Sequence, residues 1–286
     1  MDQMKNIAEA YEEISIINIK KTRKKVVGTR DFLDSVRDVY LDVKYSHDAL
    51  LGKLNSEQAS KSDAHMKGAK KLKTRPLAML LTPNAKMYGD IVRQVFDEFY
   101  EFVKDRDVDI AVVGRLGYEM LNELDPNRKP LFFELPDAGV SSAELKPILF
   151  NLLEYETVSV FHGRYQTVIT QMPTVSYISG KDVFIDKDID KVQEAKSHHS
   201  EYLFEPSLEE ISSFFGDQFF SVVFKQAYHE SQLAQFASRL RAMESALDQV
   251  GEDTKKLQRA SHRFRRREQS KQQTERLAGI MFFKKG

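Results

Sequence analysis

Residues 233–264 read LAQFASRLRAMESALDQVGEDTKKLQRASHRF, and their apolar pattern predicts the main architectural feature of the chain. Its apolar residues recur in alternating steps of three and four, which is the pattern of the a and d positions of a left-handed coiled coil. The predicted seam consists of Leu233, Phe236, Leu240, Met243, Leu247, Val250, Leu257 and Phe264. A long helix with one apolar seam needs a second helix to cover it, so the sequence predicts a rod.

A second long helix is predicted near the other end of the chain, over residues 4–50. Its apolar positions include Ile7, Tyr11, Ile14 and Ile17, again at steps of three or four. The two helices lie at opposite ends of the sequence, so the simplest arrangement is an antiparallel pair in which each covers the apolar face of the other.

Short apolar runs alternate with amphipathic segments between these helices, which is typical of an α/β layer with parallel strands at its centre. The fold class is therefore α/β, with a central α/β domain flanked by long N- and C-terminal helices that form an antiparallel coiled coil. Strands are predicted at 77–81, 108–113, 157–161 and 167–178, and helices at 88–103 and 142–153.

The predicted organisation has four parts. They are an N-terminal coiled-coil helix (1–54), a linker (55–73), the α/β domain (74–205) and a C-terminal coiled-coil region (206–286).

The composition excludes several classes of chemistry. The chain has no cysteine, so a disulfide framework, a thiolate nucleophile and a Cys-ligated metal are impossible. No apolar run approaches the roughly 18 residues that a membrane span requires, and residues 1–10 lack the apolar stretch of a signal peptide. The net charge is zero, but eight Lys or Arg residues stand against one Glu between Lys255 and Lys271. Such local basicity favours acidic partners.

The sequence predicts no catalytic residue, cofactor or metal. Gly114 and Gly117 follow a strand and could belong to a phosphate-binding loop, but the full glycine fingerprint is absent, and a strand-to-helix turn is the favoured interpretation. His198 and His199 are adjacent in a charged loop and lack metal-ligand spacing.

The basic segment 263–267 could suggest a leucine-zipper DNA-binding protein, but the basic region precedes the zipper in those proteins and follows it here. An apolar end follows the basic segment. We call it the bearing tip, and it consists of Leu277, Ile280, Met281, Phe282 and Phe283. It is expected to enter a socket on another protein or to fold back onto the chain's own core.

Several motifs resemble one known family, the gamma subunits of F-type rotary ATP synthases. They are the aromatic Glu-Pro segment 202–207, the pair Glu230-Ser231, and 237–243 (ASRLRAM) followed by Ala246. Residues 158–178 resemble the strand pair that precedes that segment in the family, and 108–117 resemble its second strand and Gly-x-x-Gly turn. The loop 82–89 and the signature at 269–272 depart from the family pattern.

The resemblance implies a rotor shaft that is not itself an active site. Its helical pair would stand in a ring of alpha and beta subunits, and its α/β domain would meet the epsilon subunit and the membrane c-ring. It would be a peripheral subunit at the cytoplasmic face of a bacterial cell membrane. The predicted partner contacts are Tyr11, Lys20, Lys21, Lys24, Arg263, Arg265, Arg266, Gln269, Gln272 and Glu275.

Two other classes remain open from the residues alone. One is a free-standing coiled-coil adaptor with an α/β recognition domain. The other is an α/β enzyme whose terminal helices mediate dimerisation, which would need a polar pocket at the carboxyl ends of its strands.

Overall fold

The computed structural model describes residues 2–55, 73–179 and 208–283. The elements in chain order are α1 (Asp2–Asn55), β1 (Leu77–Leu81), α2 (Ile91–Val103), β2 (Asp109–Val113), α3 (Arg115–Leu124), β3 (Leu131–Phe133), α4 (Ser142–Leu152), β4 (Thr157–Tyr165), β5 (Gln171–Ser179) and α5 (Leu208–Phe283). The predicted linker, apart from its end residues, and the segment 180–207 with its Glu-Pro motif and His198-His199 lie outside the described residues.

The five strands form one sheet in the order β3-β2-β1-β4-β5. The pairs β3–β2, β2–β1 and β1–β4 are parallel, whereas β4 and β5 pair antiparallel. The predicted parallel centre is therefore confirmed. Pro173 is tolerated in β5 because this strand lies at the edge of the sheet, where a missing N–H can face away from the ladder.

Apolar side chains cover both faces of the sheet, which explains why β1 reads as a continuous apolar run. On one face, Phe220 and Phe224 of α5 pack with Leu152 of α4 against β1 and β4. On the other face, Phe96 and Phe99 of α2 belong to the core. The α/β domain is thus built directly onto α5.

The helices α1 and α5 pack against each other in opposite directions. Arg30 of α1 pairs with Glu230 of α5, while Tyr11, nearer the start of α1, lies beside Arg239. Position numbers fall along one helix as they rise along the other, as an antiparallel pair requires. The predicted antiparallel arrangement of the two long helices is confirmed.

The face that α1 buries differs from the prediction. Ile7, Ile14 and Ile17 are about half exposed (52%, 47% and 51%), so the predicted inward face was wrong. Among the side chains of α1 that the structure describes, the buried ones are Ala8, Ser15, Thr22 and Val26, of which the first three repeat every seven residues. Small side chains let the two helices approach closely, and the Ser15 hydroxyl donates to the Tyr11 carbonyl at 2.6 Å, so its burial leaves no donor unpaired.

The predicted seam of α5 passes through three environments. Leu233, Phe236 and Met243 are buried, and Leu240, Leu247 and Val250 are half-buried. Phe236 belongs to the core of the α/β domain, with its ring centre 6.1 Å from that of Tyr88. Leu257 and Phe264 are 56% and 69% exposed, so their role in a seam stays a prediction.

One strand was not predicted. The helix α3 starts directly at the glycine turn after β2, as the strand-to-helix interpretation of that turn requires, whereas β3 contains only three residues, two of which are exposed. So short a strand, half open to solvent, carries neither an alternating pattern nor a long apolar run. The strand β4 extends to Tyr165 and β5 starts at Gln171, so the turn between them keeps its predicted length but lies four residues further along the chain.

Candidate interaction surface

Arg239 joins the rod to the α/β domain. Although charged, it is only 5% exposed, and its guanidinium lies 3.5 Å from the centre of the Tyr88 ring and 5.2 Å from that of Tyr11. Its Nε and Nη2 donate to the main-chain oxygens of Met87 and Lys86 at 3.3 and 3.2 Å. One side chain of α5 therefore contacts both α1 and the loop after β1. We call this set of contacts the Arg239 junction.

The loop that Arg239 holds, residues 83–89, has an unusual backbone. Met87 and Gly89 both have positive φ, at 74° and 69°. A side chain at Gly89 would overlap Ser238 of α5, so the loop lies directly against the rod at this point. Burial raises the pKa of the Tyr88 phenol above its ordinary value, and the Asp137 carboxylate raises it further. Tyr88 therefore presents a neutral ring to the Arg239 cation.

The same loop is anchored at its start by Asp137. The Asp137 carboxylate accepts from the main-chain N–H groups of Asn84 and Ala85 at 2.7 and 3.2 Å. The Asn84 side chain donates to the Leu135 carbonyl at 2.6 Å. This loop, which departs from the family pattern, is thus fixed at one end to the α/β domain and at the other to α5.

The Gly114–Gly117 turn packs against the end of β1. Gly114 has a φ of 97°, and a Cβ there would overlap the carbonyl oxygen of Thr82. The first N–H groups of α3 are already satisfied within the protein. Arg115 donates to Asn84 Oδ1 at 3.0 Å, Leu116 to the Pro83 carbonyl at 3.2 Å and Gly117 to Thr82 Oγ1 at 3.0 Å. A phosphate would have to displace these partners, so the turn serves packing.

A second polar contact joins α1 to α5 at Arg30 and Glu230, further from the start of α1 than the Arg239 junction. Arg30 donates to Glu230 Oε1 at 2.7 Å, and the Gln226 amide donates to the same oxygen at 2.8 Å. The Glu230 side chain is 12% exposed and the Arg30 side chain 54% exposed. A partly buried charge pair of this kind fixes the register of two helices, since sliding either one would leave Glu230 without its cation.

A buried histidine, His162, and a half-buried one, His229, lie near this region. His162 on β4 is 1% exposed, with Nε2 2.8 Å from Ser176 Oγ and Nδ1 3.2 Å from the Gly163 carbonyl. Burial lowers the pKa of the His162 imidazole. Burial also lowers the pKa of His229 on α5, and the Lys25 charge lowers it further. Both rings are therefore neutral near neutral pH.

The C-terminal part of α5 lies outside the contact between α1 and α5. Every residue from 255 to 277 is exposed, over about 35 Å of helix. We call this segment the overhang. Its predicted contacts Arg263, Arg265, Arg266, Gln269, Gln272 and Glu275 all lie in solvent. Of the bearing tip, Leu277 is 58% exposed. The helical backbone continues to Phe283, but the side chains of Ile280, Met281, Phe282 and Phe283 lie outside the described residues.

The predicted contacts on α1 are divided between surface and interior. Lys20, Lys21 and Lys24 are exposed, and no carboxylate among the described residues forms an ion pair with them. Tyr11 is half-buried and faces Arg239 within the same chain. The isoleucines of α1 were not predicted to be exposed. They give the rod an apolar surface in addition to the basic surface formed by its exposed lysines.

Sequence reasoning missed Arg239, Tyr88 and Arg30 as structural contacts. Arg239 falls between two seam positions, where a charged residue normally faces solvent. Its burial follows from its surroundings, because this part of α5 is buried on every side. Residues 231–239 are all buried, because the sheet covers one side of this segment and α1 covers the other.

The fold defines a class of protein, a stalk in which a long two-helix rod is fixed by a charged junction to a small α/β domain. Comparisons agree with this class. A family model described as ATP synthase matches residues 1–275. An ATP synthase gamma chain of Halothermothrix orenii is 22% identical over 280 residues, covering 96% of this chain and 92% of the relative. Another, from Ruthia magnifica, is 21% identical and covers 88% of this chain and 84% of the relative.

Solved structures share the fold. A chain in the cryo-EM structure of the central stalk and c-ring of Tetrahymena thermophila mitochondrial ATP synthase has a TM-score of 0.59 and 16% identity, covering 84% of this chain and 99% of that one. A chain in the Euglena gracilis mitochondrial ATP synthase has a TM-score of 0.53 and 12% identity, covering 92% and 93%. The chain belongs to the ATP synthase gamma family as a divergent member, and is the non-catalytic central stalk, or rotor, subunit of that complex. No helix within the described ranges is long and apolar enough to cross a membrane.

Proposed function

We propose that the overhang of α5 stands inside a ring of alpha and beta subunits and that its rotation changes nucleotide affinity at each beta subunit in turn. The observation that carries this proposal is the exposure of residues 255–277, which extend as a single helix past the two-helix contact. A helix of this length, covered on no side by the described residues, is suited to a surrounding partner.

The charge of the overhang supports such a role. Arg263, Arg265 and Arg266 are exposed and carry no ion pair with another described residue. Attraction between these cations and acidic partner loops varies gently with rotation angle, because Coulomb energy falls slowly with distance in water. Tight apolar packing would instead favour one angle strongly. A basic shaft can therefore be held in the ring without stopping at one position.

The polar junctions support transmission of torque. The Arg239 junction ties the α/β domain to both rod helices, and the Arg30–Glu230 pair ties those helices to each other. A torque applied to the α/β domain would therefore reach the overhang without slippage between the elements. In this proposal the α/β domain meets the epsilon subunit and the c-ring, and the chain is a peripheral subunit at the cytoplasmic face of a bacterial membrane.

Reconstitution with charge-neutralised variants tests the proposal. The double change Arg265→Gln and Arg266→Gln should reduce ATP-driven rotation of the assembled complex while leaving the thermal unfolding of the isolated chain unchanged. Arg93→Gln with Lys104→Gln is a matched control, because both side chains are exposed cations on the α/β domain. Rotation equal to wild type in the first variant would contradict the proposed role of the basic face.

A further inference from the structure

A cavity of about 510 Å³ lies at the amino-terminal edge of the parallel sheet, away from the Arg239 junction. Its walls come from four connections that meet there. They contribute Lys73 before β1, residues 106–110 from the α2–β2 connection and the start of β2, Arg128 and Lys129 between α3 and β3 with Leu131 at the start of β3, and Asn151 and Tyr155 near the end of α4. Its volume falls in the range of sites for small molecules.

The two carboxylates in the cavity wall share one cation within the chain. Arg75 forms ion pairs with both Asp107 and Asp109, the latter at 3.4 Å. The Tyr155 hydroxyl also donates to Asp109 Oδ2 at 3.0 Å. Both acids thus have hydrogen-bond partners within the chain, and the single guanidinium balances one of their two charges.

Two of the four cations in the wall are also engaged. Lys73 Nζ lies 3.2 Å from Glu154 Oε2. Arg128 donates to the carbonyls of Val103 and Lys104 at 2.8 and 3.0 Å, and its Nε lies 3.0 Å from Asp125. Arg128 thereby satisfies the last carbonyls of α2, which would otherwise repel an anion in this corner.

Arg106 and Lys129 are the cations that remain. The Arg106 guanidinium lies 3.9 Å from the centre of the Phe102 ring, which holds the group in place without using its N–H donors. No carboxylate among the described residues forms an ion pair with Arg106 or Lys129. A positioned guanidinium fork and an ammonium on the wall of one cavity, with no anion of the described chain to pair them, are the donors that bind phosphate groups.

We propose that this cavity binds the phosphate group of a small phosphorylated molecule, with Arg106 and Lys129 as the anion-binding residues. The cavity is larger than a free phosphate requires, so the organic part of the ligand would occupy the remaining space toward Asn151 and Tyr155. The site is separate from the overhang, and this inference does not depend on the proposed contacts with the ring.

Calorimetric titration of the purified full-length chain at low ionic strength tests the inference. The probes are inorganic phosphate, ADP, and adenosine as an uncharged control. The isolated chain is used because the nucleotide sites of the assembled complex would mask the signal. We expect phosphate or ADP to bind with one site per chain, and adenosine alone not to bind. Binding of phosphate but not ADP would support the site, with a ligand whose organic part differs from adenosine. Binding of ADP but not phosphate would support a site in which the organic part of the ligand is required for binding.

Variants locate the site. Arg106→Gln and Lys129→Gln should each weaken binding about tenfold or more, as expected for loss of a charge-assisted hydrogen bond. Lys104→Gln is the matched control, since this nearby exposed lysine pairs with Glu101 outside the cavity and should bind as wild type does. The inference is overturned if neither phosphate nor ADP binds at millimolar concentration, or if both variants bind as tightly as wild type.

Discussion

The guanidinium of Arg239 lies 3.5 Å from the centre of the Tyr88 ring, and this contact fixes the α/β domain to the rod. Because the cation is 5% exposed and forms two main-chain hydrogen bonds as well, its removal leaves an unfilled space and two unpaired carbonyls. Burial of Tyr88 keeps its phenol neutral, so the cation faces an uncharged ring rather than a phenolate.

We expect Arg239→Ala to lower the free energy of unfolding by about 2–4 kcal/mol, since it removes two hydrogen bonds and a buried cation–π contact. Arg239→Lys should recover only part of the loss, because an ammonium lacks the planar fork. Denaturant unfolding measures both. Arg241→Ala is the matched control, with one bond from an exposed side chain to the Ile169 carbonyl, and should cost less than about 0.5 kcal/mol.

Met243→Ala tests the buried part of the predicted seam. Met243 is 7% exposed, so the substitution should cost about 2–5 kcal/mol from lost burial and the resulting cavity. Leu257→Ala, at a position 56% exposed, should change the unfolding free energy of the isolated chain by less than about 0.5 kcal/mol. Equal losses of unfolding free energy for Met243→Ala and Leu257→Ala in a denaturant melt would show that the buried seam continues to Leu257.

Replacement of glycine by alanine is expected to have opposite effects on stability at Gly28 and at Gly114. Gly28 lies inside α1, and no atom lies within 4 Å of the position that an added Cβ would take, so Gly28→Ala should stabilise the chain by about 0.5–1 kcal/mol. Gly114→Ala should destabilise it by more than about 2 kcal/mol, because φ is positive there and the Cβ would overlap the Thr82 carbonyl. Thermal unfolding distinguishes the two. A stable Gly114→Ala variant would mean that the turn is not packed against β1.

The lowered pKa values of buried His162 and half-buried His229 predict a pH dependence of stability. The pKa of His162 is lowered by burial from an ordinary value of 6.5, so the unfolded chain takes up its proton at a higher pH than the folded chain. The free energy of unfolding should therefore be highest above about pH 6.5 and fall as the pH drops from there toward the folded pKa. The lowered pKa of His229 acts in the same direction.

The slope of stability with pH isolates this effect. His162→Gln should flatten the decline between about pH 6.5 and pH 5, whatever its effect on absolute stability. His262→Gln, on the exposed face of the overhang, is the control and should leave the slope unchanged. An unaltered slope in His162→Gln would show that His162 does not bind its proton differently in the folded and unfolded chains.

Much of the architecture follows from apolar patterning. The heptad of α5 predicted a long paired helix, and the continuous apolar run of β1 predicted a strand buried on both faces. These predictions succeed because burial of many apolar side chains dominates the placement of such elements. The resemblance to gamma subunits rested on 237–243, a segment whose first three residues the structure places in the region buried on all sides.

The inward face of α1 could not be read from hydrophobicity. Ala8, Ser15 and Thr22 are buried because they are small, while Ile7 and Ile14 face outward. Close approach of two helices selects for small volume, and a partner outside the chain can select for exposed apolar residues. Both effects oppose the rule that the most apolar face points inward. Arg239 was missed for a related reason, since its burial depends on the sheet, which lies far away in sequence.

Site-directed crosslinking tests whether the overhang lies inside the ring, and the cysteine-free chain makes it possible in an otherwise native background. A single Ser261→Cys on the exposed overhang, labelled with a maleimide photocrosslinker in the assembled complex, should form adducts with alpha or beta subunits. Glu101→Cys, on the exposed face of α2, should not. Exclusive capture of other proteins at position 261, or full solvent accessibility of that thiol in the intact complex, would contradict the placement of the overhang in the ring.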